Sequence, residues 1–178
     1  MARHRYLIAL GSNRRHSRLG GPRGVIEAAL VALAAQGIDV LRKAPILLTP
    51  PLGPSLRVYA NSAAIVETAD PPEELLALLK QIEAEFGRRA RGQRWSARVL
   101  DLDIILWDGG AFTSPDLVIP HSQFRKRDFV LHPAAAIAPD WRDPLTGLTL
   151  HQLTARLTAP RPLSRWAPRR YIAGHTKS

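Results

Sequence analysis

Cysteine is absent from the 178 residues, which removes disulfides, zinc–thiolate centres and thiol nucleophiles from consideration. No apolar run approaches the length needed to cross a bilayer. Acids are in short supply: 15 Asp and Glu stand against 25 Lys and Arg, a formal net charge of +10, nearly all of it arginine. Such an excess points to a polyanionic partner, and arginine suits planar, bidentate recognition of phosphate. Composition alone does not separate a phosphorylated small molecule from nucleic acid or an anionic membrane surface. The strand-like Tyr6-Leu7-Ile8-Ala9-Leu10 is too short, and too soon followed by Gly11-Ser12-Asn13-Arg14-Arg15, to read as a signal peptide. The cytoplasm is the default location. The length suits one domain with a full core. That domain is expected over residues 1–158, and a basic Pro/Arg-rich tail over residues 159–178.

Glycine and proline punctuate the rest. Residues 5–10 read as a first strand, broken by Gly11-Ser12-Asn13. From Pro22, Val25, Ile26, Ala29, Leu30 and Leu33 recur at helical spacing until Gly37, a C-terminal stop. Residues 38–48 read as a second strand, with Pro45 marking an edge or bulge. The prolines of Thr49-Pro50-Pro51-Leu52-Gly53-Pro54 stiffen a shaped loop, and residues 58–68 read as a third strand. Asp70-Pro71-Pro72-Glu73-Glu74 opens a helix, with Asp70 as N-cap and the acids at the positive end of the dipole. That helix ends near Gly87, and a fourth strand starts at Asp101. The order β-α-β-β-α-β predicts an α+β fold with a ferredoxin-like core, an antiparallel sheet with its helices on one face. Short helices over 124–138 and 148–157 are C-terminal additions, and no internal repeat is visible.

Chemistry concentrates in the fourth strand. Asp101 and Asp103 fall on one face, while Leu102, Ile104 and Leu106 fall on the other. Neighbouring carboxylates repel unless a cation lies between them. Magnesium fits, being a hard ion held by one or two carboxylates plus substrate phosphates. Arg94 and Arg98, just upstream, could reach phosphate oxygens bidentately. An exposed edge strand can carry such carboxylates for solubility alone. The run Ile104-Ile105-Leu106-Trp107 argues instead for a central strand, where unpaired charge is costly without a counter-ion. An RNA-binding domain is the alternative for a basic ferredoxin-like sheet. No strand interleaves basic and aromatic residues in the RNP manner, and paired aspartates would repel phosphates without a metal.

Four motifs in order, Thr49-Pro50-Pro51-Leu52-Gly53, Tyr59-x-Asn61, Arg94-Trp95-x-x-Arg98-x-Leu100-Asp101-Leu102-Asp103 and Ile119-Pro120-His121, closely resemble the 6-hydroxymethyl-7,8-dihydropterin pyrophosphokinase family. The resemblance runs from Tyr6 to about Leu153. It implies transfer of pyrophosphate from MgATP to the pterin's hydroxymethyl group, with AMP released, in folate biosynthesis. It also implies two magnesium ions and small-molecule partners, ATP and the pterin; no nucleic-acid or membrane partner is expected, and a monomer is the default. By the same resemblance Asp101 and Asp103 hold the metal, and Glu83, Arg88, Arg98, His121 and Arg127 meet ATP. Arg88, Arg98 and the two aspartates form its catalytic set. Thr49, Pro50, Leu52, Tyr59, Asn61, Trp95 and Phe129 form its pterin site. There Tyr59 and Phe129 sandwich the ring, and Asn61 offers both donor and acceptor to the aminopyrimidinone edge. Ser96-Ala97 and Ala90 depart from the family's Gly-Pro pair and second arginine. They leave the expected metal and pterin contacts intact, and bear on ATP affinity and loop closure.

Overall fold

The computed structural model describes residues 3–49, 58–87 and 99–159. The elements run β1 (His4–Ser12), α1 (Pro22–Ala35), β2 (Asp39–Lys43), β3 (Leu47–Thr49), β4 (Tyr59–Thr68), α2 (Pro72–Gly87) and β5 (Asp101–Trp107). A small hairpin follows, β6 (Phe112–Thr113) with β7 (Val118–Ile119), then a 3-10 turn over Phe124–Lys126, α3 (Asp128–Ile137) and α4 (Leu150–Thr158). The main sheet is antiparallel in the order β2-β4-β1-β5, with β3 also on β4. This is the ferredoxin-like order. Proline and glycine set the helix bounds much as expected: Pro22 starts α1, and Gly37 follows its end at φ +80°. Pro45 splits the expected second strand into β2 and β3. Asp70 does not cap α2. Its carboxylate accepts from the Thr68 hydroxyl at 2.7 Å, and the first helical amide, Leu75 N–H, bonds to Pro71 O.

Alternation along β1 and β4 gives the sheet two apolar faces. Tyr6, Ile8 and Leu10 of β1 pack with Ala64 and Val66 of β4 beneath α1 and α2, against Val25, Ile26, Leu33, Leu75, Leu79 and Ile82. The opposite face is covered too, so the expectation of helices on one face holds for α1 and α2 only. Leu7, Ala63 and Ile65 pack there under Val130, Leu131, Ala134 and Ile137 of α3 and Leu150 and Leu153 of α4.

Two expectations for β5 need correction. Among the described residues it is an edge strand, paired only with β1 in the main sheet. Its outer side is capped by other elements instead, since Leu102 N–H donates to the Glu83 carboxylate of α2 at 2.6 Å and His121 N–H donates to Ile105 O at 3.1 Å. Capping an edge satisfies its free backbone groups and blocks strand addition. The second correction concerns alternation. Ile8 pairs with Ile104 but Leu7 pairs with Leu106, so Ile105 is an extra residue in a bulge. Leu102 and Ile104 face α1 and α2, whereas Leu106 joins the core under α3 and α4.

Candidate active site

Three cross-strand rows lie on the face beneath α3. Leu7 stands between Ile65 and Leu106, Ala9 between Ala63 and Asp103, and Gly11 between Asn61 and Asp101. Along β1 the side chain shrinks from leucine to alanine to nothing as the helical cover runs out. A Cβ on Gly11 would lie 3.6 Å from Asn61 Oδ1 and 3.9 Å from Asp101 Cβ, which is ordinary contact. Glycine is therefore not forced by a clash; it keeps the floor low between two polar walls. Above it lies a cavity of about 470 Å³, lined by this row together with Ser12, Asn13, Tyr59, Arg127 and Phe129. A smaller one of about 50 Å³ continues beside Asp103 and Val130. The size suits a small-molecule ligand. Buried Ser12 donates its hydroxyl to Val99 O at 2.6 Å, tying the end of β1 to the chain that enters β5.

Burial pushes the Asp103 carboxyl above its ordinary range, and the neighbouring Asp101 pushes it further in the same direction. His121, Arg127 and Lys80 oppose that shift, so all three lie close enough to act on the same carboxylate. Among the described residues no group of three or more His, Asp or Glu side chains could hold a metal by itself. Two half-buried carboxylates on one face match a hard cation that completes its shell with phosphate oxygens and water. The donor set fits magnesium.

The remaining expected residues gather at this corner or fall outside the described chain. Thr49 ends β3 opposite Tyr59, which carries it to the same corner. Tyr59 and Phe129 stay 36% and 40% exposed, so neither is a core aromatic. The Arg127 guanidinium sits 5.8 Å from the Phe129 ring centroid, a cation–π contact at the cavity roof. His121 accepts the Gln123 N–H at Nδ1, 3.2 Å away. Glu83 grips the β5 backbone between the two aspartates, at Leu102. Arg88, Arg98, Pro50, Leu52 and Trp95 lie outside the described residues. Sequence reasoning overlooked Gly11 and Asn13 as cavity residues, having placed them in a strand break. The available signal was a glycine in a strand pattern, which marks close backbone approach.

A family profile described as 7,8-dihydro-6-hydroxymethylpterin-pyrophosphokinase matches residues 7–139. Among curated proteins, the 2-amino-4-hydroxy-6-hydroxymethyldihydropteridine pyrophosphokinase of Synechocystis sp. is 37% identical over 151 residues, 84% of this chain and 74% of that protein. The protein of the same description from Pseudomonas aeruginosa is 39% identical over 142 residues, 79% of this chain and 84% of its own. Among solved structures, the Plasmodium falciparum HPPK-DHPS with pteroate superposes with a TM-score of 0.65, covering 87% of this chain and 42% of that one. At 12% identity it shows the fold alone, and this chain spans about two fifths of its length.

Proposed function

This chain belongs to the 7,8-dihydro-6-hydroxymethylpterin-pyrophosphokinase family, and we propose that the corner around Gly11 is where pyrophosphate passes from ATP to the pterin. The activity is that of a pyrophosphokinase of folate biosynthesis. It moves the terminal pyrophosphate of ATP to the hydroxymethyl group of 6-hydroxymethyl-7,8-dihydropterin and releases AMP. One observation carries the assignment of the site: Asn61, Gly11 and Asp101 form a single cross-strand row at the floor of the cavity. That row sets a group able to read a pterin edge beside a group able to hold a metal.

Asn61 presents donor and acceptor to the ring, and Tyr59 and Phe129 close on its two faces. Thr49 adds a hydroxyl from the end of β3. Asp101 and Asp103 are the groups that would hold magnesium, two ions by the family resemblance. When bound, the metal neutralises charge on the triphosphate. Arg127 and His121 meet the phosphate oxygens that develop charge, as does Lys80, and Glu83 fixes the strand that carries the aspartates. The pterin hydroxymethyl oxygen bonds to the β-phosphorus while the bond from that phosphorus to the α,β-bridging oxygen breaks. AMP leaves with the electron pair, and the hydroxyl proton passes to water. Such chemistry needs positioning and charge stabilisation more than a strong base. Arg88 and Arg98 for phosphate, and Pro50, Leu52 and Trp95 for the pterin, complete the proposed set. The chain is taken to act as a cytoplasmic monomer; among the described residues no helix is long and apolar enough to cross a membrane.

Incubation with ATP and magnesium should release AMP only when the pterin is present, with a pterin diphosphate in equal amount. AMP released without the pterin would overturn the choice of acceptor.

A further inference from the structure

Arg127 and Phe129 roof the cavity, yet the backbone that presents them is slight. Arg127 closes a single 3-10 turn, its N–H donating to Phe124 O at 3.2 Å, and its own carbonyl starts α3 by accepting from Val130 and Leu131. One 3-10 turn has poor hydrogen-bond geometry and little stability of its own. Phe124 anchors it in the core below α3. A second anchor comes from elsewhere in the chain. Asp143 is fully buried, and its two carboxylate oxygens receive the Arg125 guanidinium in a fork, Nε to Oδ2 at 2.7 Å and NH2 to Oδ1 at 2.6 Å. Thr146 Oγ1 and Leu145 N–H complete the shell of acceptors' partners around that carboxylate. Asp143 is itself fixed by a turn: its N–H donates to Leu148 O, and Gly147 N–H, from a residue at φ +70°, donates back to Asp143 O. Thr149 then starts α4 with a capping box to Gln152. The Arg125 guanidinium also lies 4.7 Å from the Phe124 ring centroid.

A buried ion pair is a weak source of stability, since apolar replacements of similar volume often serve as well. What the bidentate fork supplies is direction, because it fixes the rotation of the turn about Phe124. Arg127 leaves that turn two residues after Arg125, toward Asp103. We propose that the Asp143–Arg125 pair is a latch that positions Arg127 and Phe129 over the cavity, and that Asp143 and Arg125 are positioning residues for substrate binding. The substrate half of this inference rests on the proposed function; the anchoring half does not.

Two variants test it, Asp143→Asn and the apolar pair Arg125→Met with Asp143→Leu, which refills the site without the fork. Amide exchange at Arg127, Val130 and Leu131 is followed together with KM for the pterin and for ATP, kcat and Tm. The latch predicts faster exchange at these three amides and a pterin KM raised by about tenfold in both variants, even where the apolar pair keeps the wild-type Tm. Unchanged exchange and KM in the apolar pair would overturn it. So would a lowered Tm in Asp143→Asn with KM unaltered, since the pair would then be structural only. A wild-type protein that releases no pterin-dependent AMP would sink the functional reading alone, and the exchange comparison would still decide the latch.

Discussion

The two faces of the sheet are built from the same strands and the same alternation, yet they end differently. Beneath α1 and α2 the apolar side chains of β1, Tyr6, Ile8 and Leu10, are all buried to 1% exposure or less. Beneath α3 the matching series Leu7, Ala9, Gly11 loses a side chain step by step, and the row at Gly11 is open. One face spends its whole length on packing. The other packs for part of its length and leaves polar groups on a rigid floor where the helix stops. Strands hold those groups more firmly than a loop would. The difference teaches that the cavity is an unfinished core, which on the proposed function a ligand completes in place of helix.

The sharpest way to break this contrast is to remove charge from the open end. Asp103→Asn should lower magnesium-dependent turnover by about 10³-fold. Without magnesium its Tm should not fall, because a repulsive, half-buried neighbour of Asp101 has been neutralised. A large loss of Tm with turnover preserved would assign Asp103 to the core instead. The mirror experiment is Leu79→Ala on the closed face, where Leu79 is 0% exposed. It should cost about 3 kcal/mol of stability and leave the pterin affinity of the folded protein unchanged, read by denaturant unfolding and titration.

Much of this contrast could be read from the chain, and the part that could not has a common cause. Pro22, Gly37, Pro72 and Gly87 delimit α1 and α2 because their effects on the backbone are local. The pair Asp101 and Asp103 is local too, which is why the metal-type cluster was visible beforehand; the second covered face was not, since α3 and α4 reach it only through long-range packing. The edge position of β5 was not, since its apolar run is buried between the helices of the two faces and its edge is capped by Glu83 and the His121 amide rather than by a second strand. The bulge at Ile105 reverses the face of Leu106 through pairing with β1, which no period in β5 reveals. Arg125 and Asp143, 18 residues apart, meet only after α3 has folded back. Local chemistry was legible, and long-range closure was not.

Smaller changes sharpen the comparison. Phe129→Ala should weaken pterin binding by about tenfold, the loss of one stacking face, and alter ATP binding far less. Equal losses for both ligands would contradict a ring-stacking role. Acid should distinguish the covers of the two faces. Burial raises the Asp143 carboxyl, but hydrogen bonds from Arg125, Thr146 and Leu145 outweigh it and hold the group below its ordinary value of 3.8. With the native value depressed, the stabilisation is present above about pH 3.8 and lost as pH falls through the native value. The Tm advantage of wild type over Asp143→Asn should therefore narrow below that pH, while Leu79→Ala keeps its full deficit.

The most direct measurement is amide chemical-shift mapping with the pterin, magnesium and a non-hydrolysable ATP analogue. The account predicts shifts grouped at Gly11, Asn13, Asn61, Asp101 and Phe129, with the amides of Val25, Leu33 and Leu79 unmoved. Shifts grouped instead among residues of α1 and β2, with the Gly11 row silent, would contradict it.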